Sequence, residues 1–295
     1  MSRGESHGTL LILVAAILWG TTGTSQALAP PGAHPLTVGA LRLAVGGGAL
    51  LMLARFRGQV TRDCFRQPGV TLLAALLVAA YQLTFFEAVE TTGVAVGTMV
   101  AIGSGPLFAG LLAFLAHKER PDRRWLIATA LAIAGLSVLF IPAPGSVLQV
   151  RTTGVLLALA AGASYAGYTL AIKRLLPGNS SDAVIAVVFT LGGILLAPFL
   201  FRSDLHWAAT PGGLLVILHL GLVATALAYL LFARGLRSVP AVHAVTLSLA
   251  EPLTAATLGI LVLKERLTLA STFGMGMVLA GLVVLGTART RYVKD

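Results

Sequence analysis

The sequence predicts an all-α membrane protein whose ten transmembrane helices form two inverted five-helix repeats. Three observations indicate this fold class: an apolar composition, ten apolar stretches of membrane-spanning length, and a copy of the first half of the chain in the second half. Of the 295 residues, 57% are hydrophobic and 11% are charged, and the mean hydropathy is +0.89. Soluble domains carry about 25% charged residues, so this chain has too few polar residues to cover a soluble surface.

The ten spans follow from length and from the breaks between them. A bilayer core of about 30 Å is crossed by roughly twenty helical residues, and backbone polar groups cannot stay unpaired in lipid. The first run, TLLILVAAILWGTTGTSQAL, is longer than the apolar part of an ordinary signal peptide and is interpreted as the first span. Charged or Pro/Gly-rich breaks delimit spans at approximately 9–28, 36–55, 69–88, 93–115, 124–141, 153–172, 183–201, 212–233, 239–263 and 268–288.

Lys and Arg in the short loops predict which ends face the cytoplasm. With a cytoplasmic N-terminus, sixteen of these residues fall inside and four, Arg151, Arg202, Lys264 and Arg266, fall outside. Arg42 lies within a span. Both termini are therefore predicted to be cytoplasmic. The inside residues are Arg3, Arg55, Arg57, Arg62, Arg66, Lys118, Arg120, Arg123, Arg124, Lys173, Arg174, Arg234, Arg237, Arg289, Arg291 and Lys294.

Several functional classes are disfavoured. The net charge of +10 is scattered between spans and is not gathered with aromatics on one face, so no nucleic-acid partner is expected. Cys64 is the single cysteine, which excludes an internal disulfide. No Walker A, H-E-x-x-H or G-x-S-x-G sequence occurs, and the nearest approach, GASYA at 162–166, lacks the second glycine. An enzyme is not expected, nor is a metal or other cofactor.

A shift of 146 residues aligns the two halves without a gap. Pro106 then falls on Pro252, and KER at 118–120 falls on KER at 264–266. Each repeat contains five spans, an odd number, so the second must cross the membrane upside down relative to the first. Residues 1–145 and 146–295 are the predicted repeats. Inverted repeats support alternating access, with a substrate site near the midplane where corresponding helices are broken by Gly or Pro; Pro106 and Pro252 mark those predicted breaks.

The residues that carry the repeat also carry a family resemblance. They are AILWGTTGT in the first span, GALRLAVGG around Arg42, the proline and KER that occur in both halves, and EPLTAATLGILVLKERLTLASTFGMGMVLAGLVVLG. Together they resemble the drug/metabolite transporter superfamily, and within it the ten-span EamA-type exporters, over nearly the whole chain. The resemblance implies efflux of amino acids or other small metabolites through a central cavity, in the inner (plasma) membrane of a bacterial-type cell.

Glu251 is the foremost candidate functional residue. It precedes Pro252 in SLAEPLTA, inside an apolar run, and a carboxyl group at a helix centre costs about 2.5–3.5 kcal/mol on insertion scales. Such a residue normally faces a cavity or a partner, and an apolar environment favours its protonated form, which raises proton coupling as one role. The alternative is structural: Pro252 leaves the Ser248 carbonyl without its helical donor, and Glu251 stitches the kinked helix to its neighbours.

A set of aromatic and polar side chains shares the midplane depth of Glu251. Amphipathic aromatics at this depth, away from the headgroups, are typical of a hydrated cavity, although packing between helices is the competing interpretation. The predicted cavity residues are Trp19, Thr22, Tyr81, Gln82, Ser164, Tyr165, Tyr168 and Glu251.

Arg42, His219 and His243 are candidates for coupling or gating. Arg42 is expected to pair with Glu87 or to extend toward the surface, and capture of a substrate carboxylate by its guanidinium is the alternative. The two histidines are candidate proton relays, with satisfied polar groups as the simpler interpretation.

The resulting prediction is a secondary transporter that exports small polar metabolites, with amino acids favoured, through a midplane cavity. Its partners are the lipid bilayer and a small-molecule substrate, with protons as a candidate coupling ion, and a monomer is compatible with the sequence. The alternatives are a carrier of other metabolites or drugs, and a channel or lipid scramblase. A channel would show no saturable counterflow.

Overall fold

The computed structural model describes residues 3–61, 66–117, 122–139, 141, 151–201, 203–264 and 269–286. Within these ranges every regular element is a helix, so the predicted all-α class is confirmed. The boundary between the predicted repeats falls in 142–150, and the KER at 118–120 and the last two residues of KER at 264–266 also lie outside the described residues.

The first half contains five helices and the second half five spans. The first five are α1 (Arg3–Ala27), α2 (Pro35–Phe56), α3 (Pro68–Thr92), α4 (Val94–His117) and α5 (Arg123–Leu139). They are followed by α6 (Thr152–Leu175), α7 (Ser181–Leu200), a 3-10 turn (His206–Ala209), α8 (Pro211–Leu218), a π-helical stretch (His219–Leu227), α9 (Ala228–Leu236), α10 (Ala241–Leu247), α11 (Ala250–Leu261) and α12 (Leu269–Gly286).

Nine segments of the described chain are long and apolar enough to cross a membrane. The eighth predicted span is α8, the π stretch and α9 together (Pro211–Leu236), and the ninth is α10 with α11 (Ala241–Leu261). The remaining predicted span is α5, which has 17 residues. Proline stands in the first turn of α2, α3 and α8, where its missing N–H has no helical acceptor to lose.

The end of the third span differs from the sequence prediction. The third span was expected to end near residue 88, but α3 continues to Thr92, and Gly93 alone separates it from α4. Gly93 has φ +86°, a conformation that favours glycine. Glu87 and Glu90 are exposed at the end of α3, where they can remain helical without burial.

The two prolines behave differently. Pro106 lies inside α4, which runs through it, so the predicted break at Pro106 is wrong; a proline removes one helical donor, and a packed bundle accommodates that loss. In the ninth span α10 ends at Leu247 and α11 begins at Ala250. The Ser248 carbonyl, expected to lack a donor, accepts the Glu251 N–H at 2.9 Å, so a tight turn upstream of Pro252 satisfies it.

Helix packing between the halves follows a pseudo-two-fold relation. α3 packs on α6 as α1 packs on the eighth span; α4 packs on α6 as α1 packs on the ninth; α2 meets α7, and α5 meets α12. Each span of the first half has its counterpart five spans later. When every span is replaced by its counterpart, the same set of packed pairs is obtained. Because five spans reverse the chain direction, helices related in this way run antiparallel, which is the arrangement of an inverted repeat.

Glycines show the same relation at atomic scale. At the α2–α7 crossing, a Cβ on Gly47 would lie 2.9 Å from the Phe189 carbonyl oxygen, and one on Gly193 would lie 3.3 Å from the Leu43 carbonyl oxygen. These two contacts exchange under the shift of 146 residues. The absence of side chains at Gly47 and Gly193 therefore lets the helix backbones approach closely.

Candidate functional site

A cavity of about 150 Å³ lies between the two halves. A water needs roughly 10–15 Å³ by the same measure, so the cavity has the size of one small solute. Its wall comes from the C-terminal halves of α1 and α3, the N-terminal halves of α2 and α4, and from α6, α9 and α11. Gly23 lies on the wall and is exposed. The cavity thus reaches the surface at the end of the bundle where α1 leads into α2, the mouth end.

The structure brings most of the predicted cavity residues together and leaves one aside. Arg42 lies on the same wall, whereas Ser164 is buried and does not line the cavity. Tyr229 is a lining residue that the sequence analysis missed. The predicted cavity residues on the wall are Trp19, Thr22, Tyr81, Gln82, Tyr165, Tyr168 and Glu251.

Tyr229 escaped sequence analysis because of its apparent depth. The predicted eighth span ended at residue 233, which placed Tyr229 one turn from the membrane surface. The observed span ends at Leu236, so Tyr229 lies about 10 Å inside the helix end at 1.5 Å per residue. Tyr229 and Phe232 are aromatic residues three positions apart in the sequence, and this pair was the signal that could have indicated a place on the cavity wall.

Aromatic rings form a continuous wall. The Trp19 ring centroid lies 4.7 Å from that of Tyr229 and 6.4 Å from that of Tyr165, which meets it edge-on. Tyr165 in turn lies 5.3 Å from Tyr168 and 6.1 Å from Tyr81. Tilted and edge-on pairs at these separations are favourable arrangements of aromatic quadrupoles. The wall joins helices from both halves of the chain.

Hydroxyl groups tie this wall to the break in the ninth span. The Tyr165 hydroxyl is hydrogen-bonded to the hydroxyl of Ser248, the residue after the end of α10. The Tyr168 and Tyr229 hydroxyls are 3.0 Å apart. The turn that presents Glu251 is thus held directly by the aromatic wall.

Arg42 is held by the π-helical stretch and not by an acid. Its Nε donates to Thr225 Oγ1 at 3.1 Å and its Nη2 to the Ala224 carbonyl oxygen at 3.3 Å. The predicted pair with Glu87 is wrong, because Glu87 is exposed on α3 while Arg42 is 8% exposed and faces the eighth span. The π stretch, a feature that often occurs at functional sites, was not predicted from the sequence.

Glu251 lies one residue into α11 and is partly exposed to the cavity. No hydrogen bond or ion pair joins its carboxyl group to any residue in the part of the chain that the structure describes. The Arg42 side chain lines the same cavity. The stitching role considered for Glu251 therefore has no contact to support it here.

The two histidines lie off the cavity wall. His219 Nε2 is 2.8 Å from Thr21 Oγ1, a contact between the π stretch and α1. His243 is half-buried on α10. Neither lines the cavity, so their predicted gating or relay roles remain predictions.

An ionic cluster that sequence analysis missed closes the opposite end of the bundle. Asp182, at the start of α7, accepts from Arg57 Nη1 at 2.8 Å and from Arg234 Nη2 at 2.7 Å and Nε at 3.0 Å. The Asp182 side chain is 7% exposed, and the two arginines are 46% and 39% exposed. We call Arg57, Asp182 and Arg234 the ionic clasp. Under the repeat shift its members correspond to Ser203, Leu36 and Ala88, so the repeat places no charged residue at the three equivalent positions of the mouth end.

Two further basic residues reinforce the clasp end. Lys173, in the last turn of α6, donates to the carbonyl oxygens of Arg237 at 3.1 Å and Val239 at 3.0 Å. Arg237 donates to Ser181 Oγ, next to Asp182. Side chains at helix ends thereby satisfy carbonyl groups that lack helical partners. The clasp end is cross-linked across α2, α6, α7 and α9.

A helical membrane bundle of two antiparallel-related halves around a small-solute cavity is the architecture of a secondary transporter. Comparison with known proteins agrees with this class: the profile of the EamA-like transporter family matches residues 6–141 and again residues 152–287. The chain belongs to the EamA-like transporter family.

Individual relatives that match this chain over most of their length are transporters. The chain is 48% identical to the uncharacterized transporter YwfM of Bacillus subtilis (strain 168), covering 95% of this chain and 94% of the relative. It is 30% identical to the threonine/homoserine exporter RhtA of Escherichia coli (strain K12), covering 92% and 88%. A solved crystal structure shares the fold with a TM-score of 0.81 at 20% identity, covering 94% of this chain and 95% of that one.

Proposed function

We propose that this transporter exports small polar metabolites, with amino acids the favoured class, from the cytoplasm by alternating access. The observation that carries the proposal is a cavity of single-solute size whose wall combines one carboxyl group, one guanidinium and several aromatic rings. A zwitterion with a modest side chain suits such a wall. The similarity to a threonine/homoserine exporter supports the same substrate class.

The two ends of the bundle support alternating access. The cavity reaches the surface at the mouth end while the ionic clasp ties α2, α7 and α9 together at the other. The excess of Lys and Arg at the clasp end supports a cytoplasmic location for this end. We infer an outward-open state, in which opening to the cytoplasm requires that the clasp separate, with residues 1–145 and 146–295 as the two repeats that exchange their arrangements.

Energy for export is proposed to come from the substrate gradient or from protons. Glu251 is the titratable group on the cavity wall that would carry a coupled proton. A carrier of other metabolites or drugs would use the same cavity. A channel is less well supported, since the clasp end is closed in the described structure.

An efflux screen tests the function. Cells that overproduce the chain would be loaded with amino acids as dipeptides, and the medium analysed by mass spectrometry against cells producing a Trp19→Ala, Tyr165→Ala variant at equal level. We expect one or a few amino acids to accumulate outside only with the unaltered chain. Accumulation of a different metabolite class, with amino acids unchanged, would rule out amino acids as the substrate.

A further inference from the structure

The charged residues on the cavity wall break the symmetry of the repeat. Under the shift of 146 residues, Arg42 corresponds to Val188, and Glu251 to Gly105. Trp19, by contrast, corresponds to Tyr165, so the aromatic wall is supplied by both halves. The aromatic wall is thus common to both halves, whereas each charged residue occurs in one half only.

The positive charge of Arg42 is buried, and no described residue supplies a negative partner. Thr225 Oγ1 donates its own proton to the Leu220 carbonyl oxygen at 2.8 Å, so it accepts from Arg42 Nε. The second acceptor, the Ala224 carbonyl, is neutral too. Among the described residues no carboxylate oxygen lies within 4.0 Å of the guanidinium. Intramembrane charges are normally paired or face a substrate pathway.

The carboxyl group of Glu251 is in the matching situation. It lies on the same cavity wall as Arg42, on α11 rather than α2, and is not in contact with it. A small solute inside the cavity can therefore meet one group of each sign.

We propose that Arg42 and Glu251 bind the two ends of one zwitterionic α-amino acid, Arg42 taking the carboxylate and Glu251 the ammonium. This inference rests on the proposed function and deepens it, because it names the chemical feature that the site selects. A guanidinium fork matches a carboxylate, and an ammonium group is favoured between a carboxylate and aromatic faces such as those of Trp19 and Tyr229. The amino-acid side chain then lies against the remaining aromatic wall.

The asymmetry has a physical consequence. A substrate with two different ends needs a site with two different ends. Arg42 and Glu251 make the two sides of the cavity different, whereas both halves of the chain contribute to the aromatic wall. A solute with only one of the two charges leaves Arg42 or Glu251 unpaired in a membrane-buried cavity. Sites with buried polar groups reject analogues that leave those groups unpaired, by large factors.

The test measures competition by one-charge analogues on the purified full-length chain. The probes are radiolabelled L-threonine and L-leucine in a scintillation proximity assay. The competitors that lack the carboxylate are 1-aminopropan-2-ol and 3-methylbutylamine, and those that lack the ammonium are 3-hydroxybutanoate and 4-methylpentanoate. We expect each analogue to compete at least about tenfold more weakly than the parent amino acid, an amount that corresponds to one charge-assisted contact.

Two substitutions assign the ends. We call the ratio in competition strength between an amino acid and its one-charge analogue the gap. Arg42→Gln is expected to reduce the gap to the amine, which lacks the carboxylate, to below about threefold and to leave the gap to the carboxylate analogue unchanged. Glu251→Gln is expected to reduce the gap to the carboxylate analogue and to leave the gap to the amine unchanged. The matched controls Arg55→Gln and Glu87→Gln change exposed residues of the same kinds and should leave both gaps unchanged. If Arg42→Gln does not give monodisperse protein, Arg42→Lys replaces it and should weaken the amino acid but not the amine.

The outcomes separate this inference from the function on which it rests. If an amino acid binds but its analogues compete equally well, the two-ended site is overturned and amino-acid export still stands. The same holds if neither substitution alters the gaps. Failure of both amino acids to bind, together with a negative efflux screen, would overturn the proposed function and this inference with it.

Discussion

At the scale of single residues, Glu251 combines an unusual position with an absence of described partners. It is presented to the cavity by a turn that Tyr165 holds through Ser248. The turn explains how a carboxyl group is tolerated beside Pro252: the backbone is satisfied locally, and the side chain faces the cavity instead of lipid.

Glu251→Gln is the first substitution to make. The amide keeps the shape of the side chain but cannot carry a coupled proton or attract an ammonium group as a carboxylate does. We expect the variant to insert and fold, to export about tenfold more slowly or worse at neutral pH, and to lose the pH dependence of export. Export assayed between pH 5.5 and 8 in cells checks this, with the exposed Glu87→Gln as the control. Unchanged rates and an unchanged pH profile would remove Glu251 from the mechanism.

At the scale of helices, the ionic clasp distinguishes the two ends of a pseudo-symmetric bundle. Its three residues come from α2, α7 and α9, and their repeat counterparts cannot form ion pairs. Since the two arginines are about half-exposed, each pair is screened by solvent and contributes modestly. A modest bias is sufficient here, because about 1.4 kcal/mol changes a two-state population tenfold.

Asp182→Asn should therefore shift the carrier away from the outward-open state. The reporter is Gly23→Cys in a Cys64→Ser background, because a Cβ at Gly23 meets no atom within 4 Å and the position is exposed at the cavity mouth. We expect a membrane-impermeant maleimide to label the reporter several-fold more slowly once Asp182→Asn is added. Asp204→Asn, an exposed acid outside the clasp, is the control. Equal labelling rates in both variants would show that the clasp does not hold its end of the bundle closed.

The glycine contacts between α2 and α7 give a test of packing. A Cβ at Gly47 would lie 2.9 Å from a backbone oxygen of Phe189, whereas one at Gly48 would meet nothing within 4 Å. Gly47→Ala is thus expected to destabilise the bundle by about 1–3 kcal/mol through overpacking, and Gly48→Ala to be nearly neutral. Thermal unfolding of the two purified variants in one detergent compares them directly. A Tm for Gly47→Ala equal to that of Gly48→Ala would contradict the close approach of the backbones.

At the scale of the whole molecule, the inverted repeat predicts opposite locations for equivalent loops. Glu119 and Glu265 occupy corresponding positions of the two KER sequences, and with an odd number of spans per repeat they must face opposite sides. Glu119→Cys and Glu265→Cys, each in a Cys64→Ser background, should react from the cytoplasmic and the outer side respectively when labelled in intact cells and in inverted vesicles. Reaction of both from one side would contradict the architecture.

Sequence alone predicted the fold well and the site unevenly. Composition, span length and the repeat are properties that a sequence contains in full. This explains why the helical spans and the gathering of Trp19, Tyr81 and Tyr165 on one cavity wall were predictable. Rotation of a helix about its axis was not, because helices that are apolar all round carry little periodic signal. That is why Ser164 was expected on the cavity wall and Glu87 beside Arg42.

The remaining misses have a related cause. The clasp depends on contacts between Asp182 and residues more than fifty positions away, which charge counting treats only as loop charge. The π stretch at His219–Leu227 interrupts the α-helical hydrogen-bond pattern of the eighth span. Such features arise from tertiary packing and are not encoded in local patterns.

Counterflow in proteoliposomes tests the central claim, that this chain is an amino-acid carrier which alternates between two states. Vesicles containing the purified chain are preloaded with unlabelled L-threonine or L-leucine and diluted into a trace of the same radiolabelled amino acid. A carrier exchanges the internal for the external substrate, so we predict a transient, saturable accumulation of label that requires the preloaded amino acid and disappears in empty vesicles. Label that only equilibrates, at the same rate with and without preloading, would contradict a carrier and indicate a channel.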